Sequence, residues 1–139
     1  MSDFPDQGDT AQLDRPADPA ADPHAEAQVV AKAAIRAAEI LDIGPAVLAK
    51  VLGLSQAGSA RLVDGAFELA PFGAPFVRAT LFVRVFTALD TLMGGDEQAA
   101  RAWLRALNVA LRDAPLELMQ APRGLAQVGL HLEGWLGRV

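Results

Sequence analysis

The chain has 139 residues, 52% hydrophobic and 21% charged, the make-up of one compact globular domain or two very small ones. It has no cysteine and only two histidines, which excludes disulfides, thiolate metal sites and thiol nucleophiles and leaves His24 and His131 as the only imidazoles for acid–base chemistry. The net charge of −5 sits in residues 1–24, where six aspartates face Arg15; the rest carries eleven charges of each sign and has no electrostatic footprint for strong nucleic-acid binding.

The opening stretch, MSDFPDQGDTAQLDRPADPAADPH, holds four prolines and few large apolar residues. It cannot bury enough surface to offset its ordering entropy, so residues 1–24 are predicted to be a disordered acidic tail. The tail lacks the basic start and apolar run of a signal peptide. It reads as a solubilising leader or, more sharply, as a mask for a basic surface.

From Ala25 the chain becomes an alanine-rich helix, with Val29, Ala33, Arg36 and Ile40 on one stripe and Val30, Ala34, Ala37 and Leu41 beside it. Gly44 and Pro45 end it and begin a short amphipathic helix through Val47, Leu48, Val51 and Leu52, stopped by Gly53. Ser55 can cap a third helix from Gln56 to about Asp64, terminated by Gly65. FELAPFGAP is a loop.

A long helix starts at Pro75, with Val77, Leu81, Val85, Leu89 and Leu92 on one stripe and Phe82, Phe86 and Met93 on another, so it belongs at the centre of the core. Arg78, Arg84 and Asp90 interrupt its apolar run, each costing ~2.5–3.5 kcal/mol near a bilayer centre. We read it as a buried soluble helix in a cytoplasmic protein with no membrane partner.

Gly94 and Gly95 break that helix, and Asp96 caps the next, whose face is Ala100, Trp103, Leu104 and Leu107. Asn108 can leave the helix in a left-handed conformation, the stripe resumes through Val109, Ala110 and Leu111, and Pro115 starts PLELMQ. The last helix carries Leu125, Val128, Leu132 and Trp135 or Leu136 at spacings of three and four, with Gly129, Gly134 and Gly137 among them. No strand-period segment of useful length appears. The predicted fold is all-α, divided into the tail (1–24), a helical region (25–72) and a second helical region (73–139).

AVLAKVLGLSQAGSARLVDG has the build of a helix-turn-helix with a tight Gly-Leu-Ser turn. In a DNA reader the start of the second helix faces base edges, exposing Gln56, Ser59 and Arg61, with Lys50 and Ser55 available for phosphates. Ala57, Gly58 and Ala60 stand where further readers are expected, and the segment's charges cancel. A helical hairpin of this kind also serves pure packing.

GGDEQAARAWLRALNVALRDAPLELMQAPRGLAQV, residues 94–128, resembles the C-terminal domain of the Xre/MbcA/ParS antitoxins. The matching residues are Gly95 and Asp96, Ala100, Trp103 and Leu104, Asn108, Ala110 and Leu111, Pro115 to Leu118, Gly124 and Val128. A weaker likeness extends over about residues 40–138. Where the family usually has glycine after the Ala-Leu pair, this chain has Arg112-Asp113-Ala114, and its C-terminus stops early at Arg138-Val139.

The resemblance implies an antitoxin of a type II toxin–antitoxin pair, doing no chemistry of its own and needing no cofactor or metal. Its partner is expected to be a RES-domain toxin, which consumes NAD or transfers ADP-ribose from it. The antitoxin blocks that active site and can repress its operon by binding operator DNA, as a homo-oligomer or a hetero-oligomer with the toxin. The expected toxin contacts are Trp103, Asn108, Leu111, Pro115, Leu125, Val128, Leu132, Trp135 and Leu136. Tryptophans are typical interface anchors, although at helical spacing they also serve as core. The rival reading is a transcription regulator whose C-terminal half only dimerises. An enzyme is the weakest reading, since no nucleophile–base pair, metal-ligand spacing or strand-linked glycine loop occurs.

Overall fold

The computed structural model describes residues 22–138. The expected tail lies outside these residues except for its last three. Asp22 caps the first helix, its carboxylate accepting from the His24 N–H at 3.0 Å, and Pro23 opens it. Helix therefore begins two residues before Ala25.

The described residues form seven α-helices and no strand: α1 Pro23–Ile40, α2 Pro45–Leu52, α3 Gln56–Asp64, α4 Ala74–Leu92, α5 Glu97–Arg105, α6 Pro115–Leu118 and α7 Pro122–Leu136. The all-α class is as the periodicity predicts. Local chemistry sets most ends. Proline occupies the first turn of α1, α2, α4, α6 and α7, where its missing N–H costs no bond. Ser55 and Asp96 accept from the N–H groups of Gly58 and Ala99, and left-handed Gly53 and Gly65 close α2 and α3.

Helix α4 is the axis of the fold. Helices α1, α2 and α7 pack along it, and α5 and α6 lead from its C-terminal end back to α7. Its inner face is Ala79, Phe82, Val85, Ala88 and Leu89, and α7 answers with Leu125, Val128 and Leu132. Each such large apolar side chain contributes about 1.5–3 kcal/mol on burial. One continuous core therefore joins residues on both sides of position 72.

Of the two expected stripes of α1, the second supplies the buried Ala34, Ala37 and Leu41, and no residue of the first is buried. The buried face of α1 is Ala27, Ala31, Ala34, Ala37 and Ala38, with Leu41 at its end, while Val29 is 63% exposed. This small-residue face is the one that packs against α4.

Arginines fasten the ends. Arg101 Nε donates to the Ile40 carbonyl at 2.7 Å, and Arg105 donates to the Asp42 carbonyl at 2.6 Å, tying α5 to the C-terminus of α1. The chain turns there through Asp42 at φ 58°, a conformation Asp tolerates. No helix of the described residues is long and apolar enough to cross a membrane.

Candidate functional site

Two surfaces hold the residues singled out by sequence. The first is the α2–α3 pair, joined through Gly53, Leu54 and Ser55. Lys50, Gln56 and Arg61 are exposed, and Ser59 is half-buried. The Ser55 hydroxyl is engaged at 3.1 Å as the acceptor that caps α3. At about 100° per residue, Gln56 and Ser59 share one face of α3, whereas Arg61 is turned about 140° from Gln56. The geometry thus gathers Gln56 and Ser59 and sets Arg61 apart.

The second surface is built by α5, the following loop, α6 and α7. Helix α5 ends at Arg105, before the expected Leu107, which is 73% exposed. The stripe does not resume as helix through Val109: that residue is 86% exposed, and only Leu111 of this group enters the core. The Asn108 N–H donates to the Asp113 carbonyl at 3.1 Å, and the Arg112 N–H returns to the Asn108 carbonyl at 2.7 Å. The Asn108 side chain accepts from the Leu111 N–H at 3.1 Å. The left-handed residue of this closed loop is Arg112, at φ 69°, and not Asn108. It occupies the position after Ala110-Leu111.

After the loop, buried Pro115 starts α6, and Gly124 lets α7 begin directly against it. A Cβ on Gly124 would lie 1.9 Å from the Leu118 carbonyl oxygen. No side chain fits there.

Several expected contact residues are therefore placed differently. Leu125, Val128 and Leu132 are at most 1% exposed, and Leu111 and Pro115 are also buried. In this conformation they cannot touch a partner, because the core already covers them; they hold the surface from beneath. Asn108 is half-buried and shapes the loop.

Trp103 and Trp135 are brought together, with His131 between them. The Trp103 and His131 rings stack at 6.2 Å and 21°, and Trp135 meets His131 edge-on at 6.5 Å and 69°. The Arg138 guanidinium lies 5.5 Å from the Trp135 ring centre. These rings open a cavity of about 210 Å³ floored by Leu92, Met93 and Leu132. Trp135 is 50% exposed. Leu136 turns away from this cavity, toward Ala88 and Thr91 of α4.

An apolar cleft edged by half-exposed Trp135, whose ring already carries the Arg138 cation, suits one apolar or aromatic side chain of a partner. It offers no acid–base pair. No group of histidine and carboxylate residues able to hold a metal occurs among the described residues. Sequence reasoning missed His131, Arg138, Leu92 and Met93 as parts of this site. The available signal was the spacing of four between His131 and Trp135, which puts both on one helical face.

Residues 88–136 match the family described as the antitoxin Xre/MbcA/ParS C-terminal toxin-binding domain. The span runs from the last turn of α4 to the end of α7 and contains the loop, the Gly124 contact and the aromatic cleft. No curated protein matches the chain.

Proposed function

We propose that this chain, bearing an Xre/MbcA/ParS toxin-binding domain at residues 88–136, is the antitoxin of a type II pair and neutralises a RES-domain toxin by covering its NAD pocket. The observation that carries the reading is the coincidence of the matched domain with the exposed aromatic cleft. Trp135 is the main anchor, Trp103 supports it from a partly buried position against the core, and Leu107 and Val109 on the exposed loop add apolar contact. The buried motif residues keep this surface rigid, which lowers the ordering cost of binding. The chain acts in the cytoplasm, where the toxin's nucleotide is consumed.

The α2–α3 pair, in the same reading, is a helix-turn-helix that contacts operator DNA through Gln56 and Ser59, with Lys50 and Arg61 toward phosphates and Ser55 fixing the helix start. A neutral ordered region gives weak binding by one copy, so repression needs a homo-oligomer or a toxin-bridged assembly that engages several sites at once.

The test is co-expression of the chain with a RES-domain toxin, following growth and cellular NAD. Wild type should protect, and Trp135→Ala should fold normally by circular dichroism yet protect poorly. Full protection by Trp135→Ala removes the cleft from the mechanism. Tight, toxin-independent operator binding without any toxin complex would establish the rival regulator.

A further inference from the structure

Arg78 stands where three segments meet. It projects from the second turn of α4, and its Nη2 donates to the Lys50 carbonyl in the last turn of α2 at 2.9 Å. The same nitrogen reaches the Gln120 carbonyl, between α6 and α7, in a longer contact of 3.5 Å. The guanidinium also lies against Gly53, the left-handed residue that turns α2 into α3. A Cβ there would stand 2.3 Å from Nη1.

This cation is poorly satisfied. Its Nε is buried with no hydrogen-bond partner, and burial pushes the guanidinium below its ordinary value, since desolvation penalises the charge. A partly desolvated guanidinium with five donors and two carbonyl acceptors gains from a closer approach of the Gln120 carbonyl, which stands at 3.5 Å, while the Lys50 bond is already at its best length. The two carbonyls belong to different turns: one closes the α2–α3 pair, the other lies inside the matched domain at residues 88–136. The Gln120 turn is held locally by its own side chain, which donates to the Leu116 carbonyl and the Glu117 carboxylate. A displacement there moves as a unit with α6.

We propose that Arg78 is a positioning residue that couples the α6–α7 turn to the α2–α3 turn, so that a partner on one alters the geometry and stability of the other. By reciprocity, whatever engages α2–α3 changes affinity at the C-terminal surface by the same factor. The use of this coupling in toxin-dependent repression rests on the antitoxin reading. The coupling itself does not, and it is measurable in the free chain.

The experiment is hydrogen exchange of the free full-length protein, read at the amides of Gly53 and Leu54 in one turn and of Met119, Gln120 and Ala121 in the other. Gly53→Asn is the chosen perturbation: asparagine tolerates the left-handed backbone, yet its Cβ displaces the guanidinium. It should speed exchange several-fold at the α6–α7 turn as well as locally. In an Arg78→Met background the same substitution should have no further effect on the α6–α7 turn, because the link is already gone. Arg78→Lys, which keeps the charge and loses the planar fork, should behave as Arg78→Met does. Arg105→Met, which removes a carbonyl-binding arginine outside both turns, should leave both turns unchanged. Purely local acceleration by Gly53→Asn, or an equal effect with and without Arg78, overturns the proposal. Retained coupling in free protein that forms no toxin complex would sink the antitoxin reading and leave this link standing.

Discussion

Arg112 carries a side chain in a backbone conformation that favours glycine. A left-handed L-residue costs about 1–2 kcal/mol, and glycine's extra freedom in the unfolded chain returns about 0.4–1 kcal/mol of that. Arg112→Gly should therefore raise stability by about 0.5–1 kcal/mol, seen as a rise in Tm of roughly 2–4 °C. An unchanged or lower Tm would mean that the arginine side chain repays its backbone cost. Gly124 is the opposite case. Its missing Cβ is filled by the Leu118 carbonyl, and backbone cannot step aside as a flexible side chain can. Gly124→Ala should cost about 3 kcal/mol, at the upper end for overpacking, and separate α6 from the start of α7. Chemical denaturation measures it directly.

Helix α7 holds glycines whose roles differ. Gly134 is exposed and a Cβ there meets nothing within 4 Å, so Gly134→Ala should stabilise the fold by about 0.5–1 kcal/mol through helix propensity alone. A loss of toxin binding in that stabilised variant would assign the glycine to partner approach. The join between α1 and α5 depends on a charge-assisted bond at a helix end. Arg101→Ala removes the donor from the Ile40 carbonyl, one of the groups a helix C-terminus leaves without an intrahelical partner. Because the Arg101 side chain is 40% exposed, the expected loss is about 1.5 kcal/mol, the low end for a bond to a charged donor. Denaturant midpoints of Arg101→Ala and wild type at equal slope give the value.

Considered whole, the molecule puts its stability and its proposed contact surface in different residues of the same helices. Leu125, Val128 and Leu132 bind α7 to α4, whereas Trp135 and His131 face the cleft. Truncation after Glu133 takes away Trp135 and the half-buried Leu136 but leaves those three core residues and Trp103 in place. The truncated protein should remain helical and fold cooperatively while failing to protect cells that express the toxin. Global unfolding would show that the last turn is needed for the core. Because α1 and α7 share α4 as their support, separate expression of residues 1–72 and 73–139 should give two poorly folded pieces, and a sharp independent unfolding transition in either piece would refute that.

The sequence by itself determined where most helices begin and end. Caps at Ser55 and Asp96, prolines at Pro45, Pro75 and Pro115, and glycines at Gly53 and Gly65 act on backbone groups within a few residues, so their effect is readable without the rest of the chain. The motif residues of 94–128 were legible too, yet their role was not: an apolar pattern reads alike for core and for contact, and Leu125, Val128 and Leu132 proved to be core. Only the tertiary structure decided which face of α1 is buried, because that follows from how the helix packs against α4 and not from the hydrophobicity of its residues alone. It alone placed the left-handed strain at Arg112, since the closure between Asn108 and Asp113 fixes that backbone. It also brought Trp103 to His131, 28 positions away, and Arg78 to Lys50 and Gln120. Such meetings depend on how whole helices pack, and no local interaction encodes them.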